Sequence, residues 1–322
     1  MTYLLKRLAS LIPLVLVISF LAFEVMHLAP GGPFDRERAP VSEEIKRALA
    51  ARYHLDEPVW KQYLRYLGLL REKTPAGKWR IVEGGLLKGD FGPSMQYRNH
   101  TVTDIIAQGL PVSLWLGAMA FCFATGLGIP LGFLTAVRKG NWQGYAGSFL
   151  ALLVICVPAL VIGPMLIMVF SIQWRWFPVA LWGDAWHAVL PTLTLGLYFA
   201  GKISRLLREG MLTILHAHFI TTARAKGLSE TAVLLKHAFR LAVLPVVSYS
   251  GPLLADLLTG SFVVENIFQI PGIGVFMVNS VLNRDYTMVV GLVVLYAVLL
   301  LLLNLAVDFA YSLIDPRVKY YE

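Results

Sequence analysis

Cysteine and charge are scarce in this 322-residue chain. Its two cysteines, Cys122 and Cys156, lie in separate apolar runs, which excludes a disulfide framework and a four-ligand metal site and leaves packing as their role. Charged residues make up only 15% of the sequence against 57% hydrophobic. With a mean hydropathy of +0.64 this is the balance of a membrane protein, because a soluble domain needs more polar surface. No GxxxxGK[ST] phosphate cradle occurs, and the nearest run, Gly68 to Thr74, has Glu72 where the second glycine would have to approach phosphate. Nucleotide hydrolysis, if it drives this protein, belongs to another chain. There is no HExxH and no nucleophile–base constellation, which sets a membrane hydrolase aside. The formal charge of +8 does not indicate nucleic acid, because the basic residues are spread between apolar runs rather than gathered on one folded basic domain.

What the chain has in abundance is long apolar sequence. A bilayer core takes about 20 apolar residues per helix, and candidate spans lie at roughly 8–29, 110–137, 145–171, 187–207, 243–264 and 286–311. An all-α polytopic protein with six transmembrane helices is expected. The fourth span is the weakest, because a full crossing must include Lys202 and Arg205, whose long side chains would have to snorkel. Pro13, Pro130, Pro158, Pro164 and Pro191 interrupt the spans, which membrane helices tolerate where neighbours re-satisfy the backbone. In the short loops thirteen Lys and Arg fall on one side: Lys6, Arg7, Arg138, Lys139, Lys202, Arg205, Arg208, Arg224, Lys226, Lys236, Arg240, Arg317 and Lys319. Only Arg175 and Arg284 fall on the other, so both termini are expected in the cytoplasm and the long loop 30–109 outside.

The apolar run after Lys6 and Arg7 reaches Leu28 without a small-x-small cleavage site, so the first span is expected to stay in place. Leu28 to Phe34, LAPGGPF, should end it sharply. In the external loop, Ile45, Leu49, Tyr53, Trp60, Leu64 and Leu67 are spaced for amphipathic helices, broken near His54 to Pro58. They would cap the pathway, lie on the membrane or dock another protein.

The densest signal is Phe219 to Pro245, a basic stretch between apolar spans. Gly227 follows a helix-compatible run ending in Lys226 and suits a φ > 0 closing turn. Ser229 is placed to cap a second short helix, with Glu230 in its first turn and Lys236 and Arg240 toward its end. The set Thr221, Thr222, Ala223, Arg224, Ala225, Lys226, Gly227, Leu228, Ser229, Glu230, Lys236, Leu244 and Pro245 resembles the cytoplasmic coupling loop of ATP-binding-cassette importer permeases. Thr221 stands where the general pattern has an acid, as in the peptide-importing branch. LAPGGPF, YHLDEP (Tyr53 to Pro58), KGDFGPS (Lys88 to Ser94), PGIG, LNRDY (Leu282 to Tyr286) and DPR (Asp315 to Arg317) extend the resemblance over nearly the whole chain. It is similar to the first of the two permease subunits of oligopeptide importers.

That resemblance implies a type I importer permease fold and a complex with a homologous second permease, two ATPases carrying ATP and Mg, and an external substrate-binding protein. This chain would bind no cofactor itself, would be non-catalytic, and would sit in a bacterial inner membrane. It would divide into 1–29 with the first span, the external loop 30–109, a core 110–312 with coupling loop 208–243, and a cytoplasmic tail 313–322. The cargo stays open among oligopeptides, dipeptides, glutathione, nickel chelates and sugars. A stand-alone secondary transporter is the rival class, and would place several functional charges at the midplane.

Asp256 is the candidate pathway-lining residue, since a carboxylate within a span is costly unless it meets water or a partner; pairing with a neighbouring subunit is the alternative. Glu24 and His27, three apart, are expected to share a face near the outer end of the first span. His216 and His218 point too far apart on a helix to chelate one metal. Asn304 and Asp308 share a face on the last span. Trp174, Trp176, Trp182 and Trp186 suit an aromatic belt.

Overall fold

The computed structural model describes residues 2–28, 43–73, 79–81, 84–97, 99–258 and 261–314. Its elements run α1 (Thr2–Leu28), α2 (Glu43–Arg52), α3 (Val59–Leu67), β1 (Arg71–Lys73), β2 (Trp79–Ile81), α4 (Val102–Val137), α5 (Trp142–Cys156), α6 (Ala159–Leu166), α7 (Ala185–Leu215) and α8 (His218–Ala225). Then follow α9 (Glu230–Ala232), α10 (Phe239–Ala242), α11 (Leu244–Leu258), α12 (Phe262–Ile267), α13 (Ile273–Leu282) and α14 (Tyr286–Ile314). Wider π-helical turns join α6 to Gln173 and α9 to α10.

The helical expectation holds with one correction: β1 and β2 form an antiparallel hairpin between α3 and α4, pairing Glu72 with Arg80. Each strand is only three residues, too short for a period-two alternation to register. The LAPGGPF exit beyond Leu28 and the terminal DPR lie outside the described residues.

Among the described residues four helical stretches are long and apolar enough to cross a membrane: Leu11–Leu28, Val102–Val137, Leu244–Ile267 and Tyr286–Phe309. A fifth is a bent pair. The third span, expected as one helix over 145–171, breaks into α5 and α6 with a 102° change of direction. Val157 is extended (φ −91°, ψ 119°) ahead of Pro158, the conformation that a following proline imposes. The fourth expected span, within α7, is not among the stretches apolar enough to cross, with Lys202 and Arg205 falling inside it.

The chain divides into two compact units, 1–110 with 275–298, and 111–274 with 299–322. In the second, Leu116, Ile203, Leu207, Met211, Leu253, Leu257 and Phe268 are each at most 2% exposed. Between helices in lipid, apolar burial gains little over contact with acyl chains, so close packing of small residues must hold the crossings. Gly128 and Gly132 of α4 are spaced for that. A Cβ on them would lie 2.6 and 2.5 Å from the carbonyl oxygens of Ala200 and Ser204 on α7.

In the first unit α3 packs on α1. Tyr63 donates its hydroxyl to the carbonyl of Leu16 at 3.0 Å, and the same hydroxyl lies 2.8 Å from Ser19 Oγ. These bonds satisfy polar groups between the two helices and tie α3 to α1. Phe23, Met26, Val290 and Val294 form the apolar core beside them.

Candidate functional site

The segment from Phe219 to Pro245 carries a glycine turn and a serine cap. α8 ends in a Schellman motif: the N–H of Gly227 bonds the carbonyl of Arg224 at 2.9 Å and that of Leu228 the carbonyl of Ala223 at 3.4 Å. Gly227 has φ +80°, and nothing lies within 4 Å of where its Cβ would be, so the demand for glycine is wholly one of backbone conformation. Ser229 Oγ then accepts from the N–H of Ala232 and caps the next helix. Helix continues from Glu230 to Ala242 through the π turn, with Lys236 and Arg240 toward its end. α7 continues to Leu215, so residues 208–215 are helical.

An ion pair missed in the sequence crosses the glycine turn. The Arg224 guanidinium donates to both Glu230 oxygens, at 3.1 and 2.6 Å, and that hydrogen bond holds the Glu230 carboxyl below the usual glutamate range. Six residues separate the pair, a spacing that no regular helix brings together and that only the turn creates. Ile220, Ala223, Val233, Ala238 and Ala242 anchor the segment from beneath, each at most 7% exposed. Thr221, Thr222, Arg224 to Glu230 and Lys236 face outward, and Phe219, Leu228 and Leu235 add exposed apolar knobs. Apolar knobs ringed by cations make a surface suited to a protein groove.

Asp256 lies on the exposed face of α11 with Pro245, Ser248 and Pro252, at helical spacing of three, four and four residues. Among the described residues α11 presents no large apolar side chain outward, whereas α5 exposes Phe149, Leu150, Leu152 and Leu153. That face is unsuited to lipid. Tyr249, next to Ser248 on α11, meets the Lys202 ammonium, which also lies 4.6 Å from the Tyr198 ring centroid and within electrostatic reach of Asp256. Lys202, read from sequence as a snorkelling residue, therefore belongs to a polar cluster shared by α7 and α11.

Two buried carboxylates that sequence reading passed over brace the quoted motifs. Glu265, 0% exposed, accepts from Ser113 Oγ at 2.8 Å and from the N–H of Gly274 at 2.9 Å, tying PGIG to α4. Asp285, also 0% exposed, caps α14 through the N–H of Met288 at 3.1 Å. It also accepts from Ser94 Oγ and from the N–H groups of Met95 and Gln96, so LNRDY holds the end of KGDFGPS.

His27 finds its partners on α1 and α3. His27 bonds the Phe23 carbonyl at 2.8 Å and Gln62 Oε1 at 3.1 Å and packs on Phe23 and Tyr286, because α3 offers a buried polar partner that a sequence window over α1 cannot show. At the YHLDEP break Glu57 receives Lys61 at 2.9 Å and Arg65 at 3.1 Å. Burial works to raise its carboxyl, and the hydrogen bonds and charges of Lys61 and Arg65 outweigh that and hold it low. Trp174 and Trp176 stack 4.5 Å apart, Trp186 packs on Phe177, and Asn304 lies against Gly251.

Apolar helices in series and an exposed basic helix–turn–helix define a polytopic membrane permease subunit. The chain belongs to the family of binding-protein-dependent transport system inner membrane components, whose model matches residues 128–320. It is 39% identical over 320 residues to the oligopeptide transport system permease protein OppB of Haemophilus influenzae, covering 99% of both chains. It is also 39% identical over 317 residues to the dipeptide transport system permease protein DppB of Bacillus subtilis, covering 98% of this chain and 97% of that one. A solved chain of the MetNI methionine ABC transporter, from an inward-facing native crystal form, matches with a TM-score of 0.54 at 19% identity, covering 66% of this chain and 96% of that one. At that identity the likeness concerns the fold alone.

Proposed function

We propose that this chain forms half of the translocation pathway of an ATP-driven oligopeptide importer and couples to a separate ATPase through residues 219–245. The observation that carries the reading is the exposed helix–turn–helix around Gly227, capped on both sides of the turn and anchored from beneath. A surface so rigidly presented suits mechanical transmission, since a partner's movement can reach the spans without first ordering the segment. Thr221 to Glu230, Lys236 and Pro245 form the contact. ATP and Mg stay on the partner ATPases, and this chain contributes no catalytic group or cofactor.

Around it we place a homologous second permease, two ATP-binding-cassette ATPases and an external binding protein. The divisions 1–29, 30–109, 110–312 and 313–322 carry the first span, external loop, permease core and tail, with both termini cytoplasmic. α7 supplies the fourth span, with Arg205 snorkelling and Lys202 held in the polar cluster shared with α11. The outward face of α11, with Asp256, lines the pathway, because it is polar where a lipid-facing helix would be apolar. The peptide names of the relatives favour peptide cargo over glutathione, nickel chelates or sugars. Coupling requires that nucleotide binding stabilise one access state over the other.

Contact is tested with a photo-crosslinking residue at Leu228 in native membranes, and another at lipid-facing Phe149 as control. Adducts with a separate ATPase from Leu228 alone are expected. Equal labelling from both positions, or no ATPase adduct, would overturn the coupling assignment.

A further inference from the structure

A cavity of about 280 Å³ lies between α4, α5 and α7, lined by Thr135, Ser148, Leu152, Ser204, Arg205, Arg208 and others. It begins one turn beyond the close approach of Gly132 to Ser204. Its walls mix Ala151, Leu152 and Ile155 with hydroxyls and cations that a membrane-spanning bundle ordinarily lacks. Thr135 and Ser204 are 2% and 1% exposed, and Ser148 adds a third hydroxyl. Two of those hydroxyls are used locally, Thr135 on the Gly132 carbonyl at 3.0 Å and Ser148 on the Gly144 carbonyl at 2.7 Å.

Its cations differ. Arg205 is 61% exposed and pairs with Glu209 at 2.8 Å, so those two charges cancel at the mouth. Arg208 is half-buried, and among the described residues its Nε meets no acceptor although water cannot reach it. A buried guanidinium N–H without an acceptor costs free energy, and the planar fork of arginine suits a tetrahedral anion. The cavity thus holds one uncompensated positive charge in need of an anionic oxygen.

Its surroundings say which anion. The rim continues onto the face of α5 that exposes Phe149 (65%), Leu152 (47%) and Leu153 (45%), a track for an acyl chain. α5 begins with exposed Trp142 (76%) and Tyr145 (68%), the residue types that mark the headgroup level. A soluble phosphate would gain nothing from that apolar track, whereas a lipid engages both parts.

We propose that this cavity binds the phosphate of an anionic phospholipid, with Arg208 as its ligand and an acyl chain lying along Phe149 and Leu152. Basic pockets between helices at the cytoplasmic surface take such headgroups. The leaflet rests on the cytoplasmic placement proposed above; the binding does not, nor does it depend on peptide cargo or ATPase coupling.

The test uses the complete purified transporter in detergent, with native mass spectrometry of retained phosphatidylglycerol, phosphatidylcholine and soluble glycerol phosphate. Phosphatidylglycerol is expected to be retained preferentially, and Arg208→Gln should weaken it about fivefold. Arg205→Gln should change it less than about twofold, since that charge is already paired. Ser148→Phe fills the mouth while keeping Arg208, and should displace the lipid if Arg208→Gln fails to assemble. Undiminished retention in Arg208→Gln or Ser148→Phe would overturn the proposal. So would glycerol phosphate binding as well as the lipid, or a wild-type complex that retains no phosphatidylglycerol because a partner chain fills the cavity.

Discussion

The proposed coupling turn rests on one backbone dihedral at Gly227, φ +80° with open space where a Cβ would lie. A side chain there would clash with nothing but its own backbone, at a cost of about 1–2 kcal/mol for the left-handed conformation. Gly227→Val should therefore reduce ATP-dependent uptake at least about tenfold while membrane insertion is unchanged, and Gly227→Asn should retain more, since asparagine tolerates this region. Normal uptake by the valine variant, alongside wild-type amounts in the membrane, would contradict the turn's role. Glu57 supplies a second residue-scale prediction. Its carboxyl is held below the ordinary value of 4.5, so its contribution to stability is complete above that pH and lost as pH falls below it. Amide exchange across 53–66 should accelerate below about pH 4.5 in wild type but show no such step in Glu57→Gln. Gly227 and Ser229 were legible because their roles are set by immediate neighbours. Arg224–Glu230 was not, since the pair exists only once the turn is made.

Elements that depend on local chemistry were read closely from sequence, including the α2–α3 break at Pro58, the capped helix after Ser229 and the uninterrupted last span. Elements that depend on distant partners were not. The clamp between Ser94 and Asp285 joins residues 191 positions apart, and both lie in quoted motifs without either being marked as a partner of the other. Asp285→Ala should leave several buried donors unpaired, costing about 3 kcal/mol or more in total, with faster amide exchange at Met95 and Gln96. Unchanged exchange there would show that the strap is held by other contacts. For α11, the presence of Asp256 was legible but its company was not, because Lys202 and Tyr198 come from α7. Asp256→Asn should lower peptide transport severalfold while leaving ATPase co-purification unchanged. Loss of assembly instead would assign Asp256 to pairing with the second permease.

At the scale of the whole molecule, composition alone placed the chain in a membrane, and the coupling motif pointed to a transporter run by another chain's ATP. The number of crossings was less plain. α7 carries the charges that close the coupling side, and the bend at Pro158 divides a run whose hydropathy reads as one helix. Hydropathy counts apolar residues and does not register a change of direction. The assembly is tested most directly by reconstituting the complete complex in liposomes and measuring accumulation of a labelled oligopeptide against its gradient. Accumulation that requires ATP, the ATPases and the external binding protein together is the predicted result. Uptake by this chain alone, driven by an ion gradient, would contradict it.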